Sequence, residues 1–389
     1  EARRSLARSE ARGGDLGARY NYQLAMAGFQ QGKAAVGRKS LDDALRYQKG
    51  ASQRLLQIAL ADKAATSGTV SARLAKDLYA SVLRDPGPGD WATDPLDSLA
   101  VLLTPLAGPM ENWFAVALAR KENELALEIS ERIRRRRFFA ALPLGGRLLA
   151  LRWIMEAPKA ALPPDAVLRR QDLLAKYPGY AQLQQASNAV RAELAALPIA
   201  PPDAAALNQQ KKLYADWAKV SAQQEDLLSE IALRREPADL VFPPIRMMEE
   251  IQGAMPQRQL VLAFFNTSRG MAVFLFSDSK YVAWQIDKPQ EVITAAKAML
   301  KEMGHHEANQ ILDTEQLNNA AWKKPASELL GLLIKNARPE FWDDYDELVI
   351  VPDGMLWYLP FEALQVPLGE STVPLASKIP IRYAPTVAV

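Results

Sequence analysis

The chain has 389 residues, enough for two or three domains at about 150 residues each. Lys and Arg number 47 against 45 Asp and Glu, so the net charge of +2 supplies no global field to steer it to nucleic acid or an anionic membrane. There is no cysteine, which excludes a disulfide framework, a thiolate metal site and a thiol nucleophile anywhere in these residues.

From residue 1 to about 235, good helix formers dominate: Ala, Leu, Arg, Gln and Glu. Apolar residues recur three and four apart. Leu41, Ala44 and Leu45 are followed by Leu55, Leu56 and Ala59. Leu183, Ala186, Val190, Leu194 and Leu197 form one stripe, and Leu213, Trp217, Val220, Leu227 and Ile231 another, with Gln224 filling one slot. Asp85-Pro-Gly-Pro-Gly is a firm break, because Pro lacks a donor and Gly lacks a conformational preference. Leu142-Pro-Leu-Gly-Gly, Tyr177-Pro-Gly and Pro201-Pro-Asp mark others. Asp203 is placed to cap a long helix that Pro237 stops. Short helices joined by short turns predict stacked hairpins. The stretch from Asn112 to Ile129 resembles a tetratricopeptide-type unit: an aromatic-bearing helix, a turn, then a helix with small Ala126 at the close-packing position. Gly37-Arg-Lys-Ser-Leu-Asp-Asp-Ala-Leu reads as a similar second-helix start. No clean 34-residue period runs through the region, so an irregular helical bundle stands beside the repeat array.

Near residue 257 the pattern becomes extended. Strands are predicted at Gln259-Leu-Val-Leu-Ala-Phe-Phe-Asn, Met271-Ala-Val-Phe-Leu-Phe and Tyr281-Val-Ala-Trp-Gln-Ile, with tight turns between them: an antiparallel meander. Pro289 opens a helix to about Met303. A polar stretch covers 304 to 323, and a second helix runs from about Pro325 to Lys335. In Glu347-Leu-Val-Ile-Val-Pro-Asp-Gly, four apolar residues in a row fit a strand buried on both faces, as in a parallel sheet. A polar loop then leads to a last short strand, Ile379-Pro-Ile-Arg-Tyr-Ala-Pro. Strands alternating with helices give this part an α/β character.

The run from Val349 to Leu364, Val-Ile-Val-Pro-Asp-Gly-Met-Leu-Trp-Tyr-Leu-Pro-Phe-Glu-Ala-Leu, closely resembles the signature of the CHAT domain, a caspase-like domain found behind tetratricopeptide-like arrays. The meander upstream, the helix ending in Leu-Leu and the strand at 379–385 are spaced as that family has them, so the resemblance covers about residues 255–389. The segment from Arg134 to Pro158 is similar to the helical part of a bacterial subgroup of such proteins. The resemblance implies a mixed fold: residues 1–250 as an all-α array with a break near 85–90, and 251–389 as the first half of an α/β caspase-like domain. It also implies a His–Cys dyad for peptide-bond cleavage, with both residues downstream of the last strand here. The chain starts at Glu1 and stops at Val389, so it is expected to be part of a longer protein and inactive by itself.

The remaining motifs read as structural. Asp353, in Pro352-Asp353-Gly354, sits where an α/β strand emerges and ligands often bind, but the motif suits a turn with the Asp capping backbone. Glu362, between Phe361 and Leu364, is a buried carboxylate of raised pKa, a half-exposed one on a short helix, or one paired to a basic neighbour. His305 and His306, the only histidines, point in different directions and have no third ligand at suitable spacing. Arg134 to Arg137, preceded by Arg132, would splay around most of a helical turn rather than form a flat phosphate-binding patch. Gly13-Gly14 and Gly145-Gly146 lack a phosphate-loop spacing, and Asp343, Asp344 and Asp346 lack a calcium-loop spacing. No catalytic, cofactor or metal residue is therefore expected within these residues, and no cofactor. Two functional readings follow. In one, the helical array binds a protein or peptide partner and controls a downstream protease half, with coupling through the helix at 203–235. In the other, the caspase-like domain is degenerate and the protein is a scaffold. No nucleic-acid or membrane partner is expected, and a cytoplasmic location is.

Overall fold

The computed structural model describes residues 14–234, 245–304, 314, 318–334 and 339–388. Thirteen α-helices precede a mixed parallel and antiparallel five-stranded sheet among these residues. None of the described helices is long and apolar enough to cross a membrane. Packing divides the chain into two compact units. A helical unit joins Glu1–Pro109 to Arg135–Phe242, and a sheet unit joins Met110–Arg134 to Pro243–Val389.

The helical unit is built from α1 (Asp15–Gln30), α2 (Ala34–Ala51), α3 (Gln53–Thr66), α4 (Ala72–Val82), α5 (Pro88–Thr93) and α6 (Pro95–Leu102). Helices α7 (Ala107–Ala119) and α8 (Asn123–Ala140) follow, and the chain changes unit inside each. The rest of the helical unit is α9 (Arg147–Glu156), α10 (Pro164–Lys176), α11 (Pro178–Ala195) and α12 (Ala204–Leu233). Local chemistry explains the starts. Ser52, Ser71, Asp94 and Asp203 each accept a backbone N–H of the first turn through the side chain, satisfying a donor with no partner inside the helix. Pro88, Pro95, Pro164 and Pro178 each open a helix, where the missing N–H costs nothing. Two of the punctuating prolines, Pro88 and Pro178, are thus helix starts. The Asp203 cap holds, with Ala206 N at 2.7 Å from its carboxylate; Pro237 lies outside the described residues.

Helices α1 and α2 bring Tyr22, Ala25 and Phe29 against Leu41, Ala44 and Leu45, with Trp91, Leu96, Leu99 and Leu233 completing that core. Leu151, Ile154, Leu173, Tyr180, Leu228 and Ile231 form a second. The stripes read on α11 and α12 are only half-buried over most of their length, because there each helix has little more than the other to pack against. Trp217 Nε1, at 3.3 Å from Ser187 Oγ, is one polar link in that hairpin.

In the sheet unit, α13 (Met248–Ala254) leads into β1 (Gln259–Thr267), β2 (Gly270–Phe276) and β3 (Tyr281–Ile286). Helices α14 (Pro289–Glu302) and α15 (Lys323–Leu333) follow, then β4 (Glu347–Val351), a hairpin of β5 (Gln365–Leu368) and β6 (Ser371–Pro374), and β7 (Ile381–Tyr383). The strand order is β3-β2-β1-β4-β7, antiparallel through β1 and parallel from β1 to β7. Leu262 lies opposite Ile350, and Ile350 opposite Tyr383. The meander therefore forms as predicted, and β4 lies between two neighbours with Leu348, Ile350 and Val351 buried and Val349 half-buried. The β5–β6 hairpin stands where the sequence predicts a polar loop. Its four-residue strands carry Pro367 and Pro374, which erase the usual strand signal.

Both faces of the sheet are covered within this unit. Leu260, Leu262, Phe264, Val273, Leu348 and Ile350 pack on Val292, Ala296 and Met299 of α14 and Ala326, Leu329 and Leu333 of α15. On the other face, the Phe114 ring of α7 meets those of Phe265 and Phe274 edge-on, with centroids 4.7 and 6.4 Å away. Trp113, Ala117 and Ala126 are buried in the same hairpin, so the expected small-residue packing at Ala126 is present. Residues 110–134, read from sequence as part of the 1–250 region, pack in the sheet unit because β1 and β2 are apolar on both sides and need a second cover.

One close approach is testable. A Cβ on Gly28 of α1 would lie 2.8 Å from the backbone N of Gly37 in α2, whereas one on Gly50 would meet nothing within 4 Å. Gly28→Ala should destabilise by about 1–3 kcal/mol through overpacking, and Gly50→Ala should be neutral or stabilise by up to about 1 kcal/mol through helix propensity. Thermal and urea unfolding of the two variants would separate these outcomes.

Candidate functional site

The C-terminal ends of parallel strands are where α/β folds bind ligands, since chain directions and helix ends converge there. In this sheet that edge is formed by Asn266 of β1, the Pro352–Gly354 turn after β4, and the chain after β7. Asp353 Oδ2 accepts the backbone N–H of Asn266 at 2.6 Å, and Asn266 Nδ2 donates to the carbonyl of Asp353 at 2.9 Å. Gly354 has φ +58, and a Cβ there would stand 2.9 Å from Asn266 Nδ2. Glycine is needed for both reasons. The motif that ends β4 thus forms a turn stitched to the neighbouring strand.

Helix α8 reaches the same edge. Arg134 donates to the carbonyls of Phe264 and of Pro352, the second at 2.9 Å, so one guanidinium bridges the ends of β1 and β4. Its carbon lies 5.8 Å from the Phe265 ring centre, a cation–π distance. Arg134 Nε stands 3.2 Å from Glu131 Oε1, and the two side chains are only 9% and 7% exposed. These two atoms are close enough for an ion pair but are not aligned for a hydrogen bond. Glu131 Oε2 accepts the backbone N–H of Val387 at 3.1 Å, which holds the chain beyond β7. Burial pushes the Glu131 carboxyl up; Arg134 and the Val387 N–H pull it back, and nearby Asp353 raises it further. The arrangement is a fastener of three strand ends. It holds no nucleophile.

Glu362 is half-buried on the short 3-10 helix Phe361–Ala363, one of the three expected arrangements, and accepts a hydrogen bond from the Tyr383 hydroxyl at 2.8 Å, a phenol rather than a basic side chain. That hydroxyl accepts the Phe361 N–H at 3.2 Å. Burial, then the bond to Glu362, raises the Tyr383 pKa. Trp357 and Tyr358 beside this turn are exposed, whereas Leu356, Leu359 and Phe361 are core. At the opposite edge Arg258 pairs with Asp346 at 2.9 Å and Lys378 with Asp343 at 3.5 Å, so two of the loop carboxylates have cations.

The arginine run does not form an open basic patch. Arg132 pairs with Glu128, and Arg134 is taken by the strand ends. In the helical unit Arg135 pairs with Asp85, and Arg136 donates to the carbonyls of Val101 and Thr104. Gly145 and Gly146 pack on Leu102 and Phe139. His305, His306 and Gly13 lie outside the described residues. Among the described residues, no group of three or more His, Asp or Glu could hold a metal ion. The helical unit also carries a groove of about 490 Å³ lined by Leu16, Tyr20, Gln23, Met26, Pro95 and Leu233.

Glu131 is a residue of this edge that no sequence motif marks. Its signal is a carboxylate in helical register with Leu127 and Arg134, among the buried Ala126, Ile129 and Ile133. A charge on an inward stripe asks for a buried partner.

No protein-family model and no curated protein matches this chain.

Glu131→Ala would leave the Arg134 charge buried without its counter-ion and should cost about 3–5 kcal/mol. Glu131→Gln keeps an acceptor for Val387 N and should cost less. Denaturant midpoints would show the order. Because the folded-state pKa of Glu131 is raised, the ionised carboxylate detracts from stability. The Glu131 contribution should therefore fall as pH rises from its ordinary value, about 4.3, through the raised one. Comparing the wild-type and Glu131→Gln stability curves over that window would detect this.

Proposed function

We propose that the chain is the N-terminal part of a caspase-like protein of the CHAT type. In this reading the helical region binds a protein or peptide partner and controls a cysteine protease domain whose histidine and cysteine lie beyond Val389. The observation that carries it is the position of β4. The strand opening the signature-like run, Leu348 to Val351, is the buried middle of the parallel β1–β4–β7 set and ends in the Asp353 turn, behind an antiparallel meander. A cysteine protease of this kind needs a thiolate to attack the carbonyl, an imidazole to move protons and backbone donors for the oxyanion. These residues hold no thiol. Their part is to seat the strand ends against which such a dyad would work.

The Arg134–Glu131 fastener supports a controlling role for the helices. It ties α8 to the ends of β1 and β4 and to the chain after β7. A partner that moved α8 would move the strand ends with it. The helix expected to couple, α12, belongs to the helical unit. The apolar groove beside α1 has the concave, mostly apolar lining that suits a peptide.

Reading the sequence that follows Val389 is the first test: a His, then a Cys about one strand–helix unit later, is expected. The longer protein should cleave a peptide library, and Cys→Ala at that position should abolish cleavage. Intact partner binding without any cleavage, or no Cys at all, would establish the scaffold reading instead. Arg134→Ala in the longer protein should change the cleavage rate at least tenfold.

A further inference from the structure

Strand β3 ends the sheet on the side away from β7. It pairs with β2, with Tyr281 opposite Phe276 and Ile286 opposite Met271. Ser277 N donates to the Lys280 carbonyl at 2.9 Å, which makes the first pair of this hairpin a hydrogen-bonded one. Bonded and non-bonded pairs alternate along an antiparallel ladder. Val282, Trp284 and Ile286 therefore bond to β2, and the N–H and C=O groups of Tyr281, Ala283 and Gln285 point away from it. Among the described residues, these outward groups have no hydrogen-bond partner.

Proteins commonly blunt such an edge with proline, with a charged side chain or with a bulge. Strand β3 has none of these. Tyr-Val-Ala-Trp-Gln-Ile carries no charge and no proline, and its register against β2 runs without a break. Val282 is 55% exposed, on the face where Trp284 and Ile286 join the core beneath α14 and α15. Charge stands only at the ends of the strand. Lys280 precedes it and Asp287 follows it, while Lys288 beyond is taken by Glu291 at 2.7 Å.

We propose that β3 pairs with β3 of a second copy of this chain, antiparallel about a two-fold axis at Ala283, so that the two five-stranded sheets become one. The outward groups are spaced for this. Ala283 meets Ala283 of the other copy and Tyr281 meets Gln285, so every open backbone group of the strand gains a partner. Val282 of each copy then lies opposite Trp284 of the other in a non-bonded pair, where side chains are closest. A β-branched residue against an aromatic ring is a favourable cross-strand combination. Antiparallel pairing also brings Lys280 of one copy to the end where the other carries Asp287, and does so at both ends of the interface. The contact is two-fold and closed, so it satisfies this edge without continuing into a fibre. All of these residues lie in the sheet unit, and the proposal does not rest on the protease reading.

Sedimentation velocity of the 389-residue chain over a range of concentrations tests it, and a monomer–dimer equilibrium is expected. Val282→Lys should weaken dimerisation by about tenfold or more, because it buries a charge against Trp284. Leu368→Lys, at an exposed position of the β5–β6 hairpin, should leave it unchanged. Because the chain has no cysteine, Ala283→Cys gives one thiol per copy. Directly opposed bonded residues stand about 5.5 Å apart between Cα atoms, within reach of a disulfide. Mild oxidation should therefore cross-link Ala283→Cys but not Leu368→Cys. A chain that stays monomeric up to its solubility limit leaves the edge to an extended segment of another protein and overturns the proposal. So does unchanged dimerisation of a folded Val282→Lys protein, or a dimer in which Ala283→Cys does not cross-link.

Discussion

Strand β1 is buried on both faces, with β4 beside it fully buried on one, and the rest of the sheet unit follows from that constraint. A strand with Leu262 and Phe264 on one side and Phe265 on the other cannot stand at a solvent boundary. It requires two covers. Helices α14 and α15 supply one, and they are local in sequence, lying between β3 and β4. Phe114 and its neighbours in residues 110–134 supply the other, from more than a hundred residues upstream.

That second cover brings charge to an apolar surface. The cost is offset because Arg134 and Glu131 meet groups that also need partners: the carbonyls of Phe264 and Pro352, where the ladder ends, and the N–H of Val387. Each backbone group would otherwise face the same desolvated edge. Asp353 and Asn266 satisfy one another beside them. A polar network of this kind adds little net stability relative to an apolar contact, but it allows few alternative registers. It holds α8 and the ends of three chain segments in one arrangement.

The same physics divides the arginine run. Consecutive positions on a helix point about 100° apart, so Arg134 serves the sheet unit while Arg135 and Arg136 serve the loop at Asp85 and the carbonyls at Val101 and Thr104. The run is an internal fastening. Arg54 and Arg84 meet the same loop, Arg54 beside Asp90 and Arg84 paired with it.

Much of the architecture was legible one element at a time. The meander, the buried β4, the caps at Asp203 and the turn at Asp353 depend on periodicity, turn chemistry and capping, which act over a few residues and leave their mark in the sequence. The β5–β6 hairpin was not legible, since Pro367 and Pro374 mask its strands and it is set by its place in the fold. Nor were the buried pairing of Glu131 or the gathering of Arg54 with Arg136. A charged residue has the same identity whether solvent or protein surrounds it. The sequence by itself determined where most helices and the strands of the main sheet begin, which faces are apolar and that no thiol is present among these residues. Only the tertiary structure decided which helix covers which face and which charges lose their water, because those outcomes depend on surfaces that meet across long separations along the chain.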